Sequence, residues 1–293
     1  MLNNSNILVI GGGVGPEAGT LFHQKIINMT DNQGLNDQGH ANVLHASFSQ
    51  LINDRTKYLI KKEGPNPGGS MAQMLKNTIQ GHAKFGGIFV VGVPCNTFHS
   101  DRVYGTFTKE LSDPAIFHLN MIQLTTTYFK KRFSDKKIIL LSTRGTKETG
   151  VYSYIFEQNF KDAFKECEEP GMVEVMDAIY NPETGIKGQN PDYQTAVEKF
   201  ESAIQDVVQV SNPSEYCVIM GCTEIPIAYN HVRRTGTFNF INKIPVENYV
   251  DPMDILAANM VATGGYKLKP QYQKYVVVDP IEDSRYRRLM SKL

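Results

Sequence analysis

Two cysteines stand where thiol chemistry is possible. Cys95 follows the apolar run at residues 87–93 and Pro94, and leads into Asn96, Thr97 and His99. Cys222 follows "EYCVIM" and Gly221, and leads into Thr223 and Glu224. A cysteine beside an apolar run is ordinarily a small buried hydrophobe. An Asn-Thr or Thr-Glu pair must find hydrogen-bond partners once buried, so these flanks suit the wall of a wet cleft. Cys217 lies inside an apolar run and Cys167 in the acidic stretch "KECEEPG", which reads as surface. Both are expected to be structural or incidental. Two thiols placed like Cys95 and Cys222 could form a redox disulfide, bind a soft metal or flank a substrate. In the last case a thiolate removes a proton from one face of a carbon and a thiol returns one to the other, which inverts the stereocentre. An ordinary thiol pKa of about 8.5 is tunable downward for that task by cations and amide dipoles.

The elements that carry these groups are legible. "NILVI" reads as a buried strand, "GGGVG" as a turn, and Pro16 as the first residue of a helix with Ala18, Leu21, Phe22, Ile26 and Met29 at helical spacing. "ANVLHASF" predicts a second strand. Ser70 is the expected cap of a helix burying Met71, Met74, Leu75, Thr78, Ile79 and His82. "GIFVVGV" is the strand that delivers Cys95. The order then repeats: "MIQLTTTYFKKRF" helix, "KIILLS" strand, "TKETGVYSYIFEQNF" helix, "MVEVM" strand, residues 191–210 helix, and "EYCVIM" the strand that delivers Cys222. Alternating strands and helices predict parallel sheets with helices on both faces. "VVGVPCNT" and "CVIMGCTE" share one plan, a strand, a Gly or Pro break, a cysteine and a threonine, with the cysteines 127 residues apart. Two similar α/β domains follow from this, each offering a thiol at the carboxyl end of a strand, with the active site in the cleft between them. The expected boundaries are 1–117 plus 245–270 for the first domain, 118–244 for the second, and 271–293 for a C-terminal extension.

Composition narrows the classes. The chain has 293 residues, is 41% apolar, and balances 30 basic against 30 acidic residues. It carries no footprint for nucleic acid or an anionic membrane surface. No apolar run approaches the ~20 residues of a membrane helix, and the N-terminus lacks the basic stretch of a secretory leader. Four cysteines are no disulfide framework at this length, and no spacing suits zinc, so a reducing, cytoplasmic location and no metal are expected. Residues 13–18 fit G-x-G-x-x-A after a strand. "ANVLHASF", however, does not end in the acidic residue a dinucleotide ribose requires.

Taken in order, the motifs resemble the aspartate/glutamate racemase superfamily, in its aspartate racemase branch. They are "GGVGPEAG" at 12–19, "NDRT" at 53–56, "PCNTFH" at 94–99, "STRGT" at 142–146, "GIKG" at 185–188, "GCTEIP" at 221–226 and "VDPMDILA" at 250–257. The resemblance implies a cofactor-independent homodimeric isomerase acting on a small acidic amino acid, with Cys95 and Cys222 as its two acid–base groups. It implies that Arg55 grips a substrate carboxylate, for which a guanidinium's paired donors are suited. Lys187, Asn96 and Thr97 match residues near the amino acid, and Val14, Thr56, Thr146 and Thr223 are further expected contacts. Glu224 stands where cell-wall glutamate racemases carry histidine. Phe98 replaces a frequent alanine and either narrows the pocket or points away. Gly19 replaces a frequent threonine, "KEGPNPGGSM" is a candidate lid, and "YVVV" in the tail is a candidate edge strand or subunit contact. Two alternatives remain at this point: another carbon-acid enzyme of the superfamily, of hydantoin racemase or maleate isomerase type, and a non-catalytic acidic amino-acid-binding protein that keeps Arg55 and Lys187.

Overall fold

A computed structural model describes residues 4–83, 87–208, 212–236 and 241–278. The chain divides into two compact units, the first running to Tyr128 and resuming at Met253, the second Phe129–Pro252.

The first unit opens with β1 (Ile7–Gly12), α1 (Pro16–Met29) and β2 (Asn42–Ser47), followed by α2 (Pro67–Gln80), β3 (Phe89–Gly92), α3 (Asp101–Glu110) and β4 (Ile116–His118). Helix α4 (Met121–Arg132) leads on to the second unit. There the order is β5 (Lys137–Leu141), α5 (Arg144–Glu148), α6 (Ser153–Phe160), β6 (Phe164–Glu166), α7 (Gly171–Tyr180), α8 (Tyr193–Val207), β7 (Tyr216–Met220), α9 (Ile225–Thr235) and β8 (Tyr249–Val250). The chain then returns to the first unit with α10 (Pro252–Thr263).

Each unit holds one parallel four-stranded sheet. The orders are β2-β1-β3-β4 and β6-β5-β7-β8, so the two units repeat one topology. Strands β1 and β7 are buried along their whole length, which explains why they read as unbroken apolar runs rather than alternating ones. β2 is an edge strand and is only partly covered. In both sheets the strand order reverses beside the first-formed strand, between β1 and β3 and between β5 and β7. Ligands of open α/β sheets sit outside the carboxyl ends of strands at such points. The four strand ends there carry "GGVG", "PCNT", "STRG" and "GCTE".

Gly13 is required by close approach: its φ is 82°, and an added Cβ would lie 2.9 Å from the backbone nitrogens of Phe48 and Ser49. The glycine loop is therefore explained by the segment leaving β2, with no need of a dinucleotide.

Several expectations need correction. "MVEVM" is not a strand but part of α7. Its apolar residues satisfy both periods, and Met172 and Val175 are buried while Val173 is 53% exposed, as on a helix. The strand at this point is β6, three residues long. Helix α2 starts at Pro67 under Asn66, whose side chain accepts from the Gly68 N–H at 2.9 Å. Ser70 is already inside it, and His82 lies past its end. Half of the expected lid is thus the first turn of α2, with Pro67 and Gly68 buried, and an added Cβ on Gly68 would meet the Val103 carbonyl at 2.1 Å. The helix expected from Thr146 to Phe160 is two helices, parted at Gly150 with φ 64°. The long helix of the second unit is Tyr193–Val207; residues 209 and 210 lie outside the described ones. Cys167 is a fully buried core residue, not a surface one. "YVVV" is no strand: the Asn259 side-chain oxygen accepts from the N–H groups of Val277 at 2.9 Å and Val278 at 3.1 Å, which ties this stretch to α10.

Candidate active site

In the first unit the carboxyl ends of β1 and β3 bring together the glycine loop and Cys95. Cys95 is 8% exposed and follows β3 by three residues. Its N–H donates to the Val93 carbonyl at 2.9 Å across Pro94. Proline's fixed φ of about −65° lies near that of an inverse γ-turn, so Pro94 both ends the strand and presets the turn. Asn96 is buried and starts a single 3₁₀ turn, Thr97–His99; Thr97 is half-buried. Phe98 is fully buried, its ring 5.2 Å from that of Phe107 in an edge-on pair. It points away into the core, so its size is absorbed by packing under α3.

Arg55 is half-buried. Its Nη2 donates to the Val14 carbonyl at 2.9 Å, while Nε is buried with no hydrogen-bond partner. No carboxylate pairs with it among the described residues. A surface ion pair therefore does not account for Arg55. The Val14 carbonyl orients a guanidinium that still has donors to give, which is the arrangement an incoming carboxylate needs. The Val14 side chain is in the core, so its contribution to the site is this backbone oxygen. Thr56 is half-buried beside Arg55 and precedes the π-helical turn Lys57–Lys61.

The second unit builds a different surrounding for its thiol. Cys222 lies two residues beyond β7 and is 9% exposed. Its Sγ donates to Glu224 Oε2 at 2.9 Å, and the Thr223 hydroxyl donates to the same oxygen at 3.0 Å. The other carboxylate oxygen of Glu224 pairs with Lys187 Nζ at 2.9 Å. Lys187 in turn lies 5.0 Å from the Tyr180 ring centroid. It is held in a stiff loop after α7, where its N–H donates to the Ile179 carbonyl at 3.0 Å. Thr146 is buried in α5, its hydroxyl 3.3 Å from that of Thr143 at the end of β5.

These contacts fix the charge states. Burial pushes the Cys222 thiol well up, the Glu224 carboxylate pushes it further, and Lys187 only partly offsets them. Glu224 stays below its ordinary range despite burial, because Lys187, the thiol and Thr223 all favour the anion. Burial works against the Lys187 ammonium, yet Glu224, Tyr180 and Cys222 hold its pKa above the ordinary value. The proton at rest is thus on sulfur. Glu224→Gln removes the negative neighbour, so the thiol pKa should fall. Alkylation of Cys222 by iodoacetamide, followed peptide by peptide against pH, is expected to begin at lower pH in E224Q. An unchanged profile would show that Glu224 does not control the thiol.

Two of the expected contacts are therefore internal: Glu224 and Lys187 bind each other before any substrate arrives. Tyr180 and Tyr152 had no signature in the sequence. Tyr152 is fully buried, and burial, Asp251 and Cys222 all push its phenol well up. Cys167 and Cys217 are pushed to about 12 mainly by burial, and neither has a carboxylate accepting its thiol proton among the described residues.

His99 adds a pH dependence. It is 4% exposed, and burial depresses its pKa from 6.5 to about 4, against the pull of its bond to the Val93 carbonyl. The fold requires the neutral ring, so its contribution is complete above pH 6.5 and is lost as pH falls toward 4. That loss amounts to roughly 3 kcal/mol at pH 4. Urea titrations at pH 7 and pH 4.5 should show a larger acid loss for wild type than for H99Q; equal losses would contradict it.

A family model described as Asp/Glu/Hydantoin racemase matches residues 12–260. The chain belongs to this family. Among solved structures, aspartate racemase from Picrophilus torridus is similar at TM-score 0.63 and 24% identity, covering 92% of this chain and 98% of that one. An aspartate racemase homologue from Pyrococcus horikoshii OT3 follows at TM-score 0.57 and 17% identity, over 89% and 99%. At such identities the likeness shows the fold: two parallel four-stranded sheets flanked by helices. No curated protein matches the sequence. The Asp/Glu/hydantoin racemase family is an isomerase family. No described helix is long and apolar enough to cross a membrane.

Proposed function

We propose that this racemase-family protein interconverts the L and D forms of aspartate, glutamate or both, with Cys95 and Cys222 as the two proton-transfer groups and no organic cofactor or metal. The observation that carries the reading is the pairing of topologies: equivalent strands β3 and β7 each end in a thiol, at equivalent switch points of two equivalent sheets. Arg55, a guanidinium with no carboxylate partner among the described residues, stands at the first of these and supplies the reason for an acidic substrate.

The steps balance without a co-reactant. A Cys95 thiolate takes the α-proton from one face, and the electron pair left on carbon is spread into the α-carboxylate. The Cys222 thiol gives its proton to the opposite face. One turnover exchanges the protonation states of the two sulfurs, and the reverse reaction uses the other state. After donation the Cys222 thiolate lies beside the Glu224 carboxylate, so the Lys187 charge is needed to hold both anions. The two-thiol chemistry requires reduced cysteines, and all four are free, which favours a cytoplasmic setting. The resemblance favours a homodimer.

The test uses full-length protein dialysed against a chelator and given L-aspartate, and separately L-glutamate, with nothing added. Optical rotation should fall to zero with at least one of them. Activity lost on chelation and restored by a divalent metal would contradict the proposal, as would stable rotation with both substrates. A carbon-acid enzyme for hydantoins or maleate is the second reading only in the last case, since a hydantoin ring has no carboxylate for Arg55 to hold and maleate has no stereocentre for two thiols to invert.

A further inference from the structure

The turn that presents Cys95 converges on one oxygen. The Val93 carbonyl accepts the Cys95 N–H at 2.9 Å, and His99 Nε2 lies 3.0 Å from the same oxygen in a buried contact. A carbonyl only accepts, so Nε2 carries the imidazole proton and Nδ1 is bare. Nδ1 is buried with no hydrogen-bond partner, an arrangement a protein tolerates only when the other nitrogen's bond is worth keeping. The His99 N–H also donates to the Asn96 carbonyl at 3.0 Å, which closes the loop Asn96–His99 and folds the imidazole back over the strand end. The Tyr104 ring at 4.9 Å and the Phe98 ring at 6.0 Å wall it in. The second unit has no counterpart: the fourth residue after Cys222 is Pro226, and the Cys222 thiol is held by Glu224 instead.

We propose that His99 is a positioning residue for Cys95. Its Nε2–H fixes the Val93 carbonyl, and with it the γ-turn that aims the thiol. His99 therefore governs proton transfer on the face that Cys95 serves and leaves the Cys222 face alone. The inference rests on the two-thiol reading, but it also makes a claim about the free protein, namely that Cys95 is shielded and held by this bond.

Two variants separate the bond from the bulk. In His99→Gln the amide nitrogen falls near the position of Nε2 and can still donate to Val93. His99→Asn keeps polarity and is too short to reach. α-Proton exchange in heavy water is measured in the C222S background, where only Cys95 acts, and in the C95S background, where only Cys222 acts. H99N should slow the exchange in C222S by at least about tenfold, since small misplacements of a reacting group cost that much or more. The exchange in C95S should stay within about twofold, and H99Q should leave both exchanges as His99 does. Equal slowing in both backgrounds would mark a merely structural role and overturn the proposal, as would unslowed exchange in H99N/C222S. Iodoacetamide labelling of Cys95 and Cys222 gives the second readout. H99N should label faster at Cys95 than wild type or H99Q, with Cys222 unchanged. If wild type exchanges neither aspartate nor glutamate, the racemase reading fails, and the labelling comparison alone decides the inference: equal Cys95 rates in all three proteins sink it. If H99N does not fold, H99Q decides. A loss confined to the C222S background despite the retained donor would overturn the proposal, and unslowed exchange in both backgrounds would support it.

Discussion

C95S and C222S are each expected to lose racemisation by at least about 10³-fold, because a serine hydroxyl is far too weak an acid to replace a thiol as a proton-transfer group. The two variants should nonetheless differ from an inert protein. In each, the remaining sulfur still faces one enantiomer. It can take the α-proton, exchange it with solvent and return it to the same face. In heavy water each single variant should therefore incorporate deuterium into one enantiomer without inverting it, and the two should choose opposite enantiomers. C167S and C217S should keep wild-type rates, because both thiols are sealed in the core of the second unit. Chiral chromatography with mass detection reads inversion and exchange together. Racemisation at the wild-type rate in C95S or C222S would remove that residue from the chemistry, and a dead C217S would point to the wrong pair.

R55K is expected to lower kcat/KM by about 10²-fold or more, with kcat falling as well as KM rising. Lysine keeps the charge but has no planar fork. It cannot donate to the Val14 carbonyl and also offer two parallel bonds to a carboxylate. A substrate held by one bond swings relative to both sulfurs, so orientation is lost along with affinity. Initial rates over a range of substrate concentrations separate the two effects. An R55K protein with wild-type kcat would mean that Arg55 only concentrates substrate, and wild-type kcat/KM would take it out of the site.

What could be read in advance follows from which physical signals are local. The strands β1, β3, β5 and β7 are buried on both faces, and such strands announce themselves as apolar runs ended by Gly or Pro. Because the catalytic candidates sit at those ends, Cys95 and Cys222 were legible together with their strands. The edge strands β4 and β8 are three and two residues long, below the length at which periodicity says anything. "MVEVM" misled because five residues fit either period, and the packing of α7 against α8 decided it. The N-terminal cap of α2 was missed because Asn66 lies before a Pro-Gly-Gly stretch that resembles a loop. Within the site, residue types were readable but their partners were not. Nothing local shows that Glu224 accepts the hydrogen bond of the Cys222 thiol and pairs with the charge of Lys187, since Lys187 lies 37 residues earlier. Nor does the sequence show that Arg55 rests on the carbonyl of Val14, or that the Phe98 ring turns into the core against Phe107.

The central claim is that two sulfurs act on opposite faces of one carbon, and the placement of deuterium in early turnovers tests it most directly. Wild-type protein is given protiated L-substrate in heavy water and stopped while little has reacted. The base that takes the proton from the L form differs from the acid that supplies the D form, and the supplying thiol has equilibrated with solvent. The D product should therefore carry deuterium at the α-carbon from the first turnovers, while the L substrate recovered beside it remains largely protiated. The same experiment begun from the D enantiomer should mirror this result. D product that retains the substrate's own proton would mean that a single group serves both faces, which would contradict the two-sulfur mechanism.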